Sequence, residues 1–148
     1  MRRADMSEMI PAFAKLIAFE RLSNDAQFTW AITGWMNSYR WYWEQYENRQ
    51  GKDFYKVYRP YIVKMLSDKP PLIAVLKDEP DVFLSFCCGE EGHIYYVYTK
   101  GEWRRNALAS VLIDEECGKK PGCYHSKTFK RSFLRSLRDK GWRYEKEK

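Results

Sequence analysis

No stretch of this 148-residue sequence is apolar for long enough to cross a bilayer. Its strongest apolar runs, PLIAVL and VFLSFCC, fall far short of the roughly 18 to 20 residues a spanning helix needs. The start, MRRADMSEMI, has two arginines but no apolar segment behind them, so a secretory leader is not expected. With both signals missing, the expectation is a soluble cytoplasmic protein with no membrane contact. Paired C-x-x-C spacing is missing as well. Cys87 and Cys88 are adjacent inside an apolar run, and Cys117 and Cys123 are separated by Gly, Lys and Pro. This pattern predicts buried free thiols rather than disulfides, and no metal site. There is no internal repeat and no low-complexity segment, which leaves a globular domain.

Enough apolar material is present to build one. Hydrophobic residues make up 45% of the chain and aromatics 17%, which excludes disorder. The length fits a single domain over residues 1–148. Charge is distributed unevenly. Residues 119–148 hold eleven Lys and Arg against Asp139, Glu145 and Glu147, a net of +8. The first 118 residues carry fifteen bases and seventeen acids. A basic end of this kind is either a solvated helix face or a site for an anionic partner such as nucleic acid.

Periodicity divides the chain in two. Residues 11–22 read as a strand more readily than a helix. Ser23-Asn24-Asp25 then supplies a cap for a helix with Phe28, Ile32, Trp35, Tyr39, Tyr42 and Tyr46 on one face, ending near Gly51. A second helix is predicted from Phe54 to Leu66, with Pro60 kinking or dividing it. After Lys69-Pro70-Pro71 the pattern becomes β. LIAVL, VFLSFCC and HIYYVY are joined by turns at 78–81 and 89–92, an antiparallel meander. A helix over 105–117 capped by Gly118 follows, then a short strand at CYHS. A basic helix capped by Ser126 or Thr128 and ending at Gly141, and an edge strand in GWRYEKE, complete the chain. The expected fold is a mixed α/β (α+β) domain, β-α-α-β-β-β-α-β-α-β, with a central, mostly antiparallel sheet flanked by helices.

Between HIYYVY and the third helix stands WRRNALAS. In this setting Arg104-Arg105-Asn106-Ala107-Leu108-Ala109 resembles the Arg/Gln-x-x-Gly-x-Gly/Ala turn of the GCN5-related N-acetyltransferase (GNAT) superfamily. The resemblance extends over residues 10–144. It implies acetyl-CoA as cofactor, with its pyrophosphate on Arg104, Arg105, Asn106, Ala107, Leu108 and Ala109. The main chain of Tyr96, Val97, Tyr98 and Thr99 would face the pantetheine arm. The physics is that of a helix N-terminus, whose unpaired N–H groups and partial positive charge suit an anion. Ala107 departs from the family's glycine, and its methyl crowds the phosphate. A second likeness lies in Trp35-Met36-Asn37-Ser38-Tyr39-Arg40, in Tyr96-Val97-Tyr98-Thr99-Lys100 and in Tyr124-His125. Together these resemble small GNAT-like proteins of tailed phages and prophages.

The resemblance implies an N-acyltransferase acting on an amine of unspecified identity. Such chemistry needs a base, a polarised thioester carbonyl and an acid for the leaving thiolate. His125 is the candidate base or substrate-positioning group, since it falls where the fifth strand should leave the fourth. Tyr124 and Tyr144 are candidate acids, Glu91 is the carboxylate candidate, and His93, which begins a strand beside Glu90 and Glu91, reads as a turn residue. Two alternatives stand beside this reading. One is a DNA-base-modifying enzyme of the phage Mom type, holding nucleic acid through the basic segment Lys127–Arg138. The other is a non-catalytic GNAT fold that binds a host factor. Trp30, Trp35, Trp41, Trp43, Tyr39 and Tyr42 crowd the first helix on all sides; the part not in the core would line an acceptor groove or a dimer contact. Monomer and homodimer both stay open.

Overall fold

The computed structural model describes residues 15–42, 51–101, 108–126 and 131–146. It is a mixed α/β fold in which a six-stranded sheet separates two layers of helix. Among the described residues strand β1 (Ile17–Arg21) comes first, followed by helices α1 (Asp25–Tyr42) and α2 (Gly51–Asp68). Strands β2 (Leu72–Leu76), β3 (Phe83–Glu90) and β4 (His93–Thr99) come next. Helix α3 (Leu108–Cys117), strand β5 (Cys123–Tyr124), helix α4 (Arg131–Asp139) and strand β6 (Arg143–Tyr144) complete it.

Local chemistry explains most of these boundaries. Asn24 caps α1: its side-chain carbonyl accepts from Gln27 N at 2.9 Å, while Gln27 Oε1 accepts from Ser23 N at 2.8 Å. One orphan donor of the helix, Gln27 N, and the amide just before the cap are thereby satisfied. Gly118, at φ +85°, follows the last residue of α3, and Gly141, at φ +100°, follows α4. Both take the left-handed conformation that glycine adopts without penalty. Pro60 does not divide its segment, because α2 is one helix from Gly51 to Asp68. Pro60 is exposed, and the hydrogen bond it cannot make lies within a helix held by other contacts: Ile62 and Leu66 are fully buried beyond it. The helix also starts earlier than the periodicity predicts, at Gly51 rather than Phe54.

The strands lie in sequence order across the sheet. β1 to β4 pair antiparallel, whereas β4 with β5 and β5 with β6 are parallel. A parallel step needs a crossover, and α3 and α4 provide the two crossovers here. Trp35, Met36, Ile62 and Leu66 pack against Ile73, Val75, Phe86, Cys88 and Tyr96 on one face. On the other face Leu108, Val111, Leu112, Cys117, Leu137 and Trp142 pack against Ala74, Leu84, Cys87, Ile94, Val97 and Tyr124. The adjacent cysteines 87 and 88 thus enter opposite cores, as alternation along a strand demands, and all four thiols are free and buried. Among the described residues, no helix is long and apolar enough to cross a membrane.

Two irregularities break the ladders. Ala74 pairs with Ser85 and Val75 with Phe83, so Leu84 has no place in the register. Likewise Cys88 pairs with Tyr96 and Gly89 with Ile94, which leaves Tyr95 as an extra residue on β4. A bulge of this kind bends the strand and re-aims the side chain it carries.

Candidate active site

The parallel ladder between β4 and β5 is short. It joins His93 to Cys123 and Ile94 to Tyr124, and His125 N then donates to Ile94 O at 2.9 Å. There the ladder stops, while β4 continues to Thr99. Lys100 N donates to Leu84 O at 2.8 Å, which fixes the alternation: residues 96, 98 and 100 turn their main-chain groups toward β3. The amide and carbonyl of Val97 therefore face the opposite edge, on the side where the β5 ladder has already ended.

At the end of that ladder two imidazoles meet. His93 Nδ1 and His125 Nε2 are 2.9 Å apart. The ring planes differ by 13° and their centroids are 5.2 Å apart, an edge-to-edge placement in which an N–H and a lone pair point at one another. The phenol ring of Tyr95, the bulge residue, lies 20° from parallel to His125 and 11° from parallel to His93, with centroids at 5.0 and 6.2 Å. Its hydroxyl donates to Glu90 Oε1 at 2.8 Å. Lys69, just after α2, pairs with the same carboxylate and sits 5.5 Å over the Tyr95 ring. On the far side His125 Nδ1 donates to the main-chain carbonyl of Glu145 at 2.8 Å, and the Glu145 carboxylate accepts from the Cys123 thiol at 3.1 Å.

Electrostatics follow these contacts. The Lys69 ammonium, then the Tyr95 hydroxyl, hold the Glu90 carboxyl below its ordinary range, with His93 adding to the effect. The Cys123 thiol does the same for Glu145, aided by His125 and His93. The same bond, together with burial, raises the Cys123 thiol. A pair of carboxylates, Glu90 and Glu145, thus flanks the pair of imidazoles. Glu91, the carboxylate expected from sequence, is exposed in the β3–β4 turn.

The other expected site residues are only partly brought together. Tyr124 neighbours His125 in sequence but faces the opposite core. It is 2% exposed, its hydroxyl accepts from Arg138 Nε at 3.3 Å, and its ring leans on Tyr144, centroids 5.7 Å apart. Tyr96 is buried and bonded through its hydroxyl to Ser38. Tyr98 packs against Gly34 and Trp30, and the Thr99 hydroxyl meets Ser85 Oγ at 2.9 Å. With these side chains committed, main chain is what β4 offers a ligand. Leu108 is buried and Ala109 packs on the α3-side core, so their contribution is also limited to main chain. Arg104, Arg105, Asn106 and Ala107 lie outside the described residues, as do Lys127 to Lys130 in the basic segment. His93, placed from sequence at the start of a strand and read as a turn residue, is the first residue of β4 and half of the imidazole pair.

Among the described residues, no group of three or more His, Cys, Asp and Glu is placed to hold a metal ion. No family model, curated protein or solved structure matches the chain.

Proposed function

We propose that the protein is a GNAT-like N-acyltransferase that moves the acetyl group of acetyl-CoA to an amine. The carrying observation is the end of the β4–β5 ladder, where Val97 turns its amide and carbonyl outward while β4 runs on toward the segment that opens α3. A pantetheine arm needs such a main-chain edge to pair with. The pyrophosphate needs the N–H groups of a helix start beyond it; α3 begins at Leu108, and Arg104 to Ala107 immediately precede it in sequence. From Thr99 back to Tyr95 is four residues, about 13 Å at roughly 3.3 Å each. A cofactor laid along that edge brings its thioester to the bulge, beside the imidazole pair. Amine, base and carbonyl carbon then share one place, which is where such a reaction gains most of its rate.

Isothermal titration of the protein with acetyl-CoA tests the reading. Micromolar binding is expected, weakened at least tenfold when Arg104 and Arg105 are both changed to Ala. Heat-silent mixing at millimolar cofactor sinks it. Changing Ala107→Gly removes the methyl from the phosphate's path, so tighter binding is expected of that variant.

A further inference from the structure

We propose that His93 and His125 form a two-imidazole proton relay whose outer terminus is His93 Nε2. We further propose that this nitrogen, not His125, takes the proton from the acceptor ammonium. The link to acetyl transfer rests on the acyltransferase reading above; the relay itself rests on hydrogen-bond geometry alone.

The protonation pattern follows from counting donors. A main-chain carbonyl can only accept, so the 2.8 Å contact to Glu145 O places a hydrogen on His125 Nδ1. A neutral imidazole carries one N–H, which leaves His125 Nε2 with a lone pair. The 2.9 Å contact to that lone pair then requires His93 Nδ1 to donate. His93 is therefore the Nδ1–H tautomer, and its basic nitrogen is Nε2. His125, the residue that position along the chain points to, has both nitrogens engaged and offers no lone pair to a substrate. Among the described residues, no hydrogen bond is made by His93 Nε2, and the ring is half-buried.

A proton arriving at His93 Nε2 does not have to stay there. The Nδ1 proton can pass along the 2.9 Å bond to His125 Nε2. The charge then rests on an imidazolium that donates from both nitrogens, to Glu145 O and to His93 Nδ1. Among the charged groups, Glu145 lies close to both rings and Glu90 close to His93, each an anion beside the charge. Lys69 opposes it but is spent on Glu90, and Arg143 lies beside the Cys123–Glu145 contact. Tyr95 covers the pair and contributes no charge. In acetyl transfer the ammonium gives one proton to His93 Nε2, and the freed amine attacks the thioester carbonyl carbon. The C–N bond forms, the C–S bond breaks with its electron pair on sulfur, and the second nitrogen proton goes to the thiolate. The relay later returns its proton to water, so the books balance at one proton released per acetyl group moved.

Long-range ¹H–¹⁵N correlation spectra of the uniformly ¹⁵N-labelled full chain read imidazole tautomers directly. In the deprotonated state both rings are expected as Nδ1–H. As the pair takes up one proton, His125 should acquire the pattern of two N–H groups while His93 switches to Nε2–H. Finding His93 as Nε2–H before any proton is taken up overturns the relay, and so does finding His93 charged before His125. In His125→Gln the glutamine carbonyl still accepts from His93 but cannot be protonated, so His93 itself should charge, with no tautomer switch; a switch that survives there also overturns it. Adding acetyl-CoA to the wild type should move both imidazole signals. The expected tautomers with no response to acetyl-CoA would detach the relay from acetyl transfer and overturn that half of the proposal.

Discussion

The indole of Trp35 lies flat on the phenol ring of Tyr96, with centroids 4.9 Å apart and planes 9° from parallel. Both rings are buried, Trp35 completely, and the contact clamps α1 onto β4 next to the bulge. Trp35→Ala is expected to cost about 3 to 5 kcal/mol, the range for a large buried aromatic, read as a lower urea midpoint. Among the described residues Trp35 Nε1 has no hydrogen-bond partner, so Trp35→Phe gives up no polar contact there and should cost less than half as much. An alanine variant as stable as wild type would remove Trp35 from the core.

Acid should weaken the fold through Glu90 and Glu145. Both carboxyls sit below their ordinary value of 4.5 in the folded chain, Glu90 chiefly through Lys69 and Glu145 chiefly through the Cys123 thiol. A lowered folded value means the unfolded chain binds the proton first as pH falls. Their stabilisation is present above about 4.5 and disappears as pH drops through the lowered folded values. Urea midpoints of wild type should fall across that window, and those of the Glu90→Gln/Glu145→Gln double variant should fall less. Equal acid sensitivity of the two proteins would contradict the assignment.

The four thiols should be silent in the native state. Cys87 Sγ lies 3.8 Å from Cys117 Sγ; that contact, and then burial, push the Cys87 thiol well above its ordinary 9.0. Thiolate is the reactive form, so an aromatic disulfide reagent at pH 8 is expected to titrate fewer than one thiol natively and all four in denaturant. Rapid native reaction of two or more would place these side chains nearer the surface than the fold allows.

Gly122 should tolerate no side chain. A Cβ there would lie 2.1 Å from Gly92 O, the carbonyl that accepts from Cys123 N at 2.9 Å. Gly122→Ala must therefore push β5 off β4, at about 1 to 3 kcal/mol or more. At Gly92 a Cβ would meet nothing within 4 Å, but φ is +79°, so Gly92→Ala should cost about 1 to 2 kcal/mol. Thermal melts of both variants check the order; Gly92→Ala being the worse of the two would reverse the argument.

Much of the architecture could be read along the chain because its signals are local. The Phe28/Ile32/Trp35/Tyr39 stripe does face the core, the turn at 89–92 does close the β3–β4 hairpin, and Gly118 and Gly141 do follow their helices. Pro60 does not divide α2 because helix propensity is a local cost, overridden by the burial of Ile62 and Leu66 beyond it. The site was harder to read. The bulge at Tyr95 depends on register against β3, which alternation within HIYYVY does not reveal. His93 and His125 are 32 residues apart and meet only because β5 lies parallel to β4. Glu145, which holds His125, directly follows the last strand. Two histidines in 148 residues was the one visible hint: with so few, their meeting on adjacent strands is informative.

The seam beneath the imidazoles has a consequence for motion. β5 and β6 are two residues long, and the chain must close a loop of about thirty residues, His93 to Cys123, before β5 can pair at all. Segments held by so few ladder bonds open at a fraction of the global unfolding energy. The amides of Cys123 and His125 should therefore exchange with deuterated solvent well ahead of those in β2 and β3. The place where the sheet brings its two histidines together is also where it breathes.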